Sequence, residues 1–286
     1  MSAAQVIVQA QARGLQRLDA QLLLLHALGK PASERTWLLA HDLDPVPPAA
    51  QARFNEHVQR RAAGEPLAYI TGHKEFFGLD LLVDARVLVP RPETEALVEW
   101  ALEVLAELAV QPPTVLDLGT GSGAIALALK HARPDLEVTA VDHSTQALQV
   151  ARGNAERLQL DVHLRHGCWF DGMAERFHVI VANPPYIASD DPHLQALGHE
   201  PTQALTSGAD GLNDITQIVA HAAAHLHPGG WLLLEHGYDQ AVVVRDKLIE
   251  AGFTSVQSRR DLSDIERCSG ARSPADLQLR PGPQSP

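Results

Sequence analysis

At 286 residues with 45% apolar side chains, the chain can hold two domains and a sizeable core. Its 23 Lys and Arg against 35 Asp and Glu leave a net charge of −12, which argues against a large phosphate-tracking surface, so no direct nucleic-acid partner is expected. Cys168 and Cys268 form no close pair, which excludes a disulfide framework or zinc ribbon, and the run Leu22 to Leu25 is far too short to span a bilayer, so a cytoplasmic protein with no membrane partner is expected.

Residues 1–65 hold no strand-like run. Leu15, Leu18, Leu22, Leu25 and Leu28 recur at helical spacing, and further helices are expected around 34–41 and 49–63, punctuated by Pro31 and by Asp44-Pro45-Val46-Pro47-Pro48. This is a small helical domain with the leucine stripe as its core. From Gly64 to Gly78 two short β-prone runs surround a Gly-containing turn, giving a β-hairpin linker over 66–90. Pro90-Arg91-Pro92-Glu93-Thr94-Glu95 then leads into a helix that starts with acids.

Thr114-Val115-Leu116-Asp117-Leu118 reads as a buried strand, followed by the loop Gly119-Thr120-Gly121-Ser122-Gly123 and an apolar-periodic helix. Glycines at alternate positions let the backbone approach a ligand closely, with the helix N-terminus behind them. A second strand, 137–141, ends in Asp142, whose carboxylate can accept from two ribose hydroxyls; a helix over 144–158 crosses back. Glycines spaced G-x-G-x-G rather than G-x-G-x-x-G disfavour a nicotinamide cofactor. A third strand, 162–166, leads to Gly167-Cys168-Trp169-Phe170, where the indole is either core or a flat apolar wall for a ligand.

The fourth strand, Phe177-His178-Val179-Ile180-Val181-Ala182, stops at Asn183-Pro184-Pro185-Tyr186. Read blandly, this is a turn. Read chemically, the Asn183 side-chain carbonyl and the Pro184 carbonyl accept from one –NH2 group while Tyr186 offers its ring face for stacking, which suits an amide or an adenine amino group. His221, His225 and His227 precede a Pro-Gly-Gly turn, but no acid or cysteine completes a coordination set, so no metal is expected.

The glycine loop, the acid after strand two and the motif after strand four together resemble the class I S-adenosylmethionine-dependent methyltransferases. With the helical N-terminal domain, Tyr69-Ile70-x-Gly72, Pro90 to Glu95, Glu200-Pro201, Gly208-x-x-Gly211 and Leu232-Leu233-Leu234-Glu235-His236-Gly237, the chain is similar over roughly 10–272 to the release-factor glutamine methyltransferases. The resemblance implies a Rossmann-like α/β fold with a seven-stranded, mostly parallel sheet over 91–273. It implies S-adenosyl-L-methionine as cofactor, bound by Asp117, Gly119, Thr120, Gly121, Ser122, Gly123, Asp142, Trp169 and Asn183. Within it Asp117 is expected near the methionine end, and Trp169 against the adenine; Cys168 stands where many relatives carry an acid. Asn183, Pro184, Pro185 and Tyr186 would hold the acceptor, the Gln of the Gly-Gly-Gln loop in class I peptide chain release factors, with residues 1–65 recognising the substrate. Alternatives are a ribosomal-protein glutamine or a nucleic-acid adenine. The chain departs from relatives at Arg267-Cys268-Ser269-Gly270-Ala271-Arg272, where the closing strand is expected to be weak or shifted, and 274–286 is expected to be a disordered tail.

Overall fold

The computed structural model describes residues 1–274, so the expected tail lies, beyond Pro274, outside the described residues. Two units separate by contact: Met1–His73 with Val83–Ala85, and Lys74–Leu82 with everything from Arg86 on.

The first unit is built from helices α1 (Ala3–Ala12), α2 (Arg17–Ala27), α3 (Arg35–Ala40), α4 (Pro48–Ala62) and α5 (Leu67–Thr71). Ser2 caps α1 in a reciprocal box with Gln5, a helix that the leucine spacing does not reveal. Proline at the first position starts α4. The buried face of α2 is Ala20, Leu23, Leu24 and Ala27, an i, i+3, i+4, i+7 set packed with Val6, Ala10, Phe54 and Val58. The expected stripe is rotated only in part: Leu25 is fully buried and Leu15, which precedes the helix, joins the same core, while Leu18 is 46% exposed. Arg53 of α4 donates to the Ala27 carbonyl at 2.7 and 3.2 Å, satisfying the end of α2, and Arg61 pairs with Asp19 at 2.7 Å.

The second unit opens on a hairpin of β1 (His73–Phe76) and β2 (Leu79–Leu82), turning through Phe77 and Gly78, both at positive φ. The hairpin therefore lies later than expected. Leu67–Thr71, read as β-prone from Tyr69 and Ile70, is helical.

After α6 (Glu95–Ala106) come β3 (Thr114–Leu118), α7 (Ala124–Ala132), β4 (Glu137–Asp142), α8 (Thr145–Leu158), β5 (His163–His166) and β6 (Phe177–Ala182). The chain continues with α9 (Asn213–Ala222), β7 (Leu226–Glu235), α10 (Ala241–Glu250), β8 (Thr254–Arg260) and β9 (Glu266–Arg272). The sheet order is β5-β4-β3-β6-β7-β9-β8, parallel from β5 to β7, with β9 antiparallel to both its neighbours. The seven-stranded, mostly parallel α/β sheet is as expected. Its central strands β3 and β6 are almost continuously buried because both faces are covered, whereas the edge strands β5 and β8 are mostly polar and partly exposed. Val115, Val179, Val181 and Leu233 face one core with Leu97 and Leu127, while Leu116, Ile180, Leu232 and Leu234 face the other with Ile215 and Val244.

The closing strand is a correction. β9 spans seven residues and buries Cys268, Ser269, Gly270 and Ala271 between β7 and β8. Its small residues have a steric cause: a Cβ on Gly270 would lie 2.7 Å from the Trp100 ring and 2.6 Å from Leu233. Strand order reverses between β3 and β6, and open α/β sheets bind ligands at the carboxyl ends beside such a switch.

Candidate functional site

The loop leaving β3 meets that switch. Gly119 has φ of 73°, a left-handed conformation, and a Cβ there would approach Trp169 Cζ3 to 3.3 Å. Beneath the loop, Asp117 Oδ2 accepts from the Thr120 hydroxyl at 2.6 Å and from the Ala126 N–H at 3.2 Å, while Oδ1 is buried without a partner. Burial pushes its carboxyl up to about 7 against those two hydrogen bonds. At the end of β4, Asp142 Oδ2 accepts from the Gly121 N–H and Oδ1 from the Ser144 N–H, each at 2.8 Å. Ser144 caps α8, and Asn154 of that helix donates to the Ser122 carbonyl at 3.0 Å.

These elements bound a cleft of about 320 Å³. Gly119, Gly121 and Asp142 form one side, Trp169 another, and Asn183 with Pro185 close it toward β6. Thr120, Ser122 and Gly123 belong to the loop without lining the cleft, and Asp117 lies fully buried beneath it rather than presented to the cleft. Trp169, at φ of 48°, is one of five described non-glycine residues at positive φ, a strained backbone of the kind concentrated at functional sites. The thiol of Cys168 borders the cleft and is raised by burial and by Asp171 and Asp214, so it stays protonated near neutral pH.

Asn183 also borders a second cavity of about 280 Å³ with Leu88, Arg91, Pro184, Tyr186 and Leu205. The four motif residues alternate between the two: Pro185 faces the first, Pro184 and Tyr186 the second, and Asn183 both. The loop after β6 is zipped to a later segment, since the Ile187 N–H donates to the Leu205 carbonyl at 2.9 Å and the Ser207 N–H to the Ile187 carbonyl at 3.0 Å. Glu200 holds the opposite rim, pairing with Arg91 and accepting from the Val89 N–H at 3.0 Å. Gln240 Nε2 donates to the Tyr186 carbonyl at 3.1 Å and to the Asp210 carbonyl at 3.3 Å.

Behind Asn183 lies a polar chain. Asn183 Nδ2 donates to the Thr94 hydroxyl at 3.2 Å, and the Tyr186 hydroxyl donates to Glu235 Oε1 at 3.4 Å. Glu235 ends β7, is fully buried, and has no partner on Oε2. Burial raises its carboxyl to about 7, opposed by hydrogen bonding from Thr94 and Tyr186 and by the Arg267 charge. The Tyr186 hydroxyl is itself pushed up by burial and by Glu235.

Thr94, Glu200 and Glu235 stand in segments that carry the family resemblance but receive no role from the sequence, and Gln240 is not singled out there at all; the fold makes all four site-building residues. The histidines singled out by spacing are dispersed: His221 sits 2.8 Å from the Gln217 carbonyl of its own helix, His225 stacks on Phe170, and His227 tilts against His178.

Residues 3–72 match the family described as PrmC N-terminal domain and residues 98–209 that described as methyltransferase small domain. The release factor glutamine methyltransferase of Burkholderia pseudomallei is 50% identical over 275 residues, 92% of this chain and 94% of that one. That of Pseudomonas aeruginosa is 52% identical over 256 residues, 88% and 90% of the two chains. In structure, a methyltransferase from Pyrococcus furiosus shares the fold, with a TM-score of 0.52 at 22% identity over 77% of this chain and 98% of that one.

Proposed function

The chain belongs to the release factor glutamine methyltransferase family, and on that premise we propose that it methylates the side-chain amide nitrogen of the Gln in the Gly-Gly-Gln loop of class I peptide chain release factors. The observation that carries the reading is Asn183, the one motif residue bordering both cavities.

The first cavity suits S-adenosyl-L-methionine. Its volume falls in the range of roughly 300–1,000 Å³ typical of small-molecule sites. The Trp169 indole offers an apolar wall, and each Asp142 oxygen, though it accepts one backbone N–H, keeps a further lone pair for a ribose hydroxyl. When bound, that cofactor supplies an electrophilic sulfonium methyl. Asp117, locked to Thr120 and Ala126, fixes the loop from below.

An amide nitrogen shares its lone pair with its carbonyl and is a poor nucleophile, so placement must supply much of the rate. Asn183 Oδ1 and the Pro184 carbonyl accept the two amide hydrogens and aim the nitrogen toward the first cavity; once the N–C bond forms, one of those protons leaves to water. Asn183 Nδ2 donates to the Thr94 hydroxyl, which leaves Oδ1 for the substrate. Pro184 and Pro185 stiffen the loop, and Tyr186 walls the acceptor cavity.

In this reading the helical residues 1–65 recognise the protein substrate and 91–273 carry out the chemistry. Among the described residues no helix is long and apolar enough to cross a membrane, and the cytoplasm, where release factors work, is the proposed location. The net charge of −12 suits a protein rather than a nucleic-acid partner. Methyl transfer from labelled cofactor to purified release factors, with a Gln-to-Ala loop and a panel of ribosomal proteins as controls, tests the assignment. One methyl on that Gln is expected; label on ribosomal protein or adenine instead overturns it. Asn183→Ala is expected to abolish turnover while cofactor binding stays near the parent value.

A further inference from the structure

We propose that Gln240 is a positioning residue that sets the acceptor loop: its side-chain amide locks the Tyr186–Ile187 peptide unit and so fixes where the Pro184 carbonyl and the Tyr186 ring meet the substrate amide. The inference rests on the amide-methylation reading and gives a task to two motifs which that reading leaves idle, Gly208-x-x-Gly211 and Glu235-His236-Gly237.

Three stretches of chain converge on this one amide. Oε1 accepts from the Gly237 N–H at 2.8 Å, while Nε2 donates to the Tyr186 carbonyl at 3.1 Å and to the Asp210 carbonyl at 3.3 Å. All three partners are backbone groups. A backbone N–H only donates and a carbonyl only accepts, so the amide has one permitted orientation. An ionised carboxylate offers acceptors alone and an ammonium donors alone; a primary amide carries both. Two glycines leave it room, since a Cβ on Gly211 would lie 2.9 Å from Nε2 and one on Gly237 3.0 Å from Oε1. Gln240 is buried and stands at the N-cap position of α10, yet its side chain makes no capping bond. Behind Gly237, the fully buried His236 lies 2.8 Å from the Gly237 carbonyl through Nδ1 and 2.8 Å from the Ser269 hydroxyl through Nε2, which steadies the donor.

The grip reaches the reaction through one rigid plane. The Tyr186 carbonyl and the Ile187 N–H belong to the same planar peptide unit. Gln240 holds its carbonyl, and the Leu205 carbonyl accepts from its N–H at 2.9 Å. The other end of the motif is anchored by β6, where Ala182 pairs with Leu234. Between the anchors stand Pro184 and Pro185, whose rings fix φ. With both ends held, the Pro184 carbonyl has one direction; with the Tyr186 end released, it swings off the amide hydrogen it must accept.

Gln240→Glu tests the polarity with little change of shape. Its ionised form still accepts from the Gly237 N–H but turns an oxygen on two carbonyls, whereas its protonated form donates to one of them. Burial and the facing oxygens raise such a carboxyl. Relative to the parent, kcat on release factor is therefore expected to be down about tenfold or more at about pH 8, the order that a mis-set contact at a reacting centre costs, and to recover as pH falls toward about pH 5. The titratable and charged groups facing Gln240 are Asp191, His193, Asp210, Tyr238, Asp239 and Arg267 around a third cavity of about 280 Å³, with Tyr186 in the motif and Glu235 and His236 before Gly237. They are common to both proteins, so the ratio of variant to parent isolates the introduced carboxyl. Gln240→Met keeps the length and loses the polarity; its kcat is expected to fall by a similar factor at every pH. The cofactor Kd should stay within about threefold in both variants, because Gln240 does not line the first cavity.

A second readout needs no substrate. The Ile187 amide resonance of the free protein, which shares the clamped peptide unit, is expected to move with pH in Gln240→Glu beyond any movement in the parent and with the midpoint of the activity change. A protein that regains turnover when the pH is lowered is folded, so misfolding does not produce this pattern. A folded Gln240→Glu protein with parental kcat, a deficit that does not change with pH, or recovery of Gln240→Met at low pH overturns the inference. If the parent labels no release factor, the function reading fails, and the resonance experiment still decides whether Gln240 holds the loop.

Discussion

Replacing Gly211 with alanine probes whether the acceptor motif depends on a backbone contact formed far along the chain. Gly211 sits at φ of 74°, and a Cβ there would lie 2.2 Å from the Tyr186 carbonyl oxygen and 2.8 Å from its carbon. Contacts under 3.0 Å are essentially never made by a real Cβ, so the two backbones must part by at least 0.8 Å, the difference between 3.0 and 2.2. Left-handed backbone costs alanine about 1–2 kcal/mol and overpacking about 1–3 kcal/mol more, so stability should drop by roughly 2–5 kcal/mol. A domain with 5–15 kcal/mol to spare typically survives that. Gln240 Nε2, which donates to the same Tyr186 carbonyl, would itself lie 2.9 Å from the new Cβ, so the bond that holds the motif is disturbed along with the backbone and the displacement passes into Pro185 and Pro184. A misplacement near 1 Å at a reacting centre costs about 100-fold, and kcat for methyl transfer is expected to fall by that order. Gly119, Asp142 and Trp169 lie away from the contact, so the cofactor Kd from calorimetry should stay within about threefold. Gly208→Ala is the control: it has a similar φ of 76° and the same 2.2 Å approach, but to the Asn213 side-chain amide, which can turn aside, so its kcat should fall far less. Parental kcat in a folded Gly211→Ala protein would refute the argument.

Gly119→Ala adds a methyl 3.3 Å from the Trp169 ring at φ of 73°; the cofactor Kd is expected to rise about tenfold with kcat at saturation little changed, and an unchanged Kd would count against Trp169 as a wall. Asp117 is raised from 3.8 to about 7, so the folded state holds its proton more tightly than the unfolded chain, and its contribution to stability is lost as pH rises between those values and stays lost above 7. Denaturation of the parent and of Asp117→Asn across pH 4–8 should therefore diverge by ~4 kcal/mol in the direction of a relatively weaker parent at high pH, and parallel curves would sink the assignment. Leu24→Ala removes a fully buried side chain from α2 and should destabilise the N-terminal helical unit by about 2–5 kcal/mol, seen as faster amide exchange in α1, α2 and α4; unaltered exchange there would contradict the rotated core face.

The parallel half of the sheet was readable because a strand covered on both faces must be apolar throughout, and Val115 to Leu118 or Val179 to Ala182 have no other reading once glycines and prolines bound them. The face of α2 was not readable from Leu22 to Leu25, because four consecutive leucines carry no phase. Helix α5 escaped because Tyr69 and Ile70 favour strands locally and lie in a helix through packing. β9 escaped for the converse reason: Ser269, Gly270 and Ala271 are poor strand formers, and at Gly270 the small residue is required by the Trp100 ring and Leu233 packed against it. At the site, glycines, Asp142 and the Asn-Pro-Pro-Tyr motif announced themselves through local chemistry. Glu200 and Glu235 stood in segments that carry the resemblance, but their roles did not show, because their partners lie 109 and 49 positions away, and a buried acid looks like any other acid until the fold removes its water.

The reversed strand β9 governs the order in which this protein can be assembled. β8 pairs only with β9, and β7 has β6 on one side and β9 on the other. A chain stalled or clipped just after Leu262 would therefore carry β8 with no strand to join. It would also carry an open edge on β7, beside Trp231 to Leu234, with unpaired backbone groups that invite another chain. The catalytic elements would all have been synthesised, yet Glu235 would sit at an open rim instead of in a dry interior. Quality control over this enzyme thus falls on a short stretch of small residues that touches neither cavity.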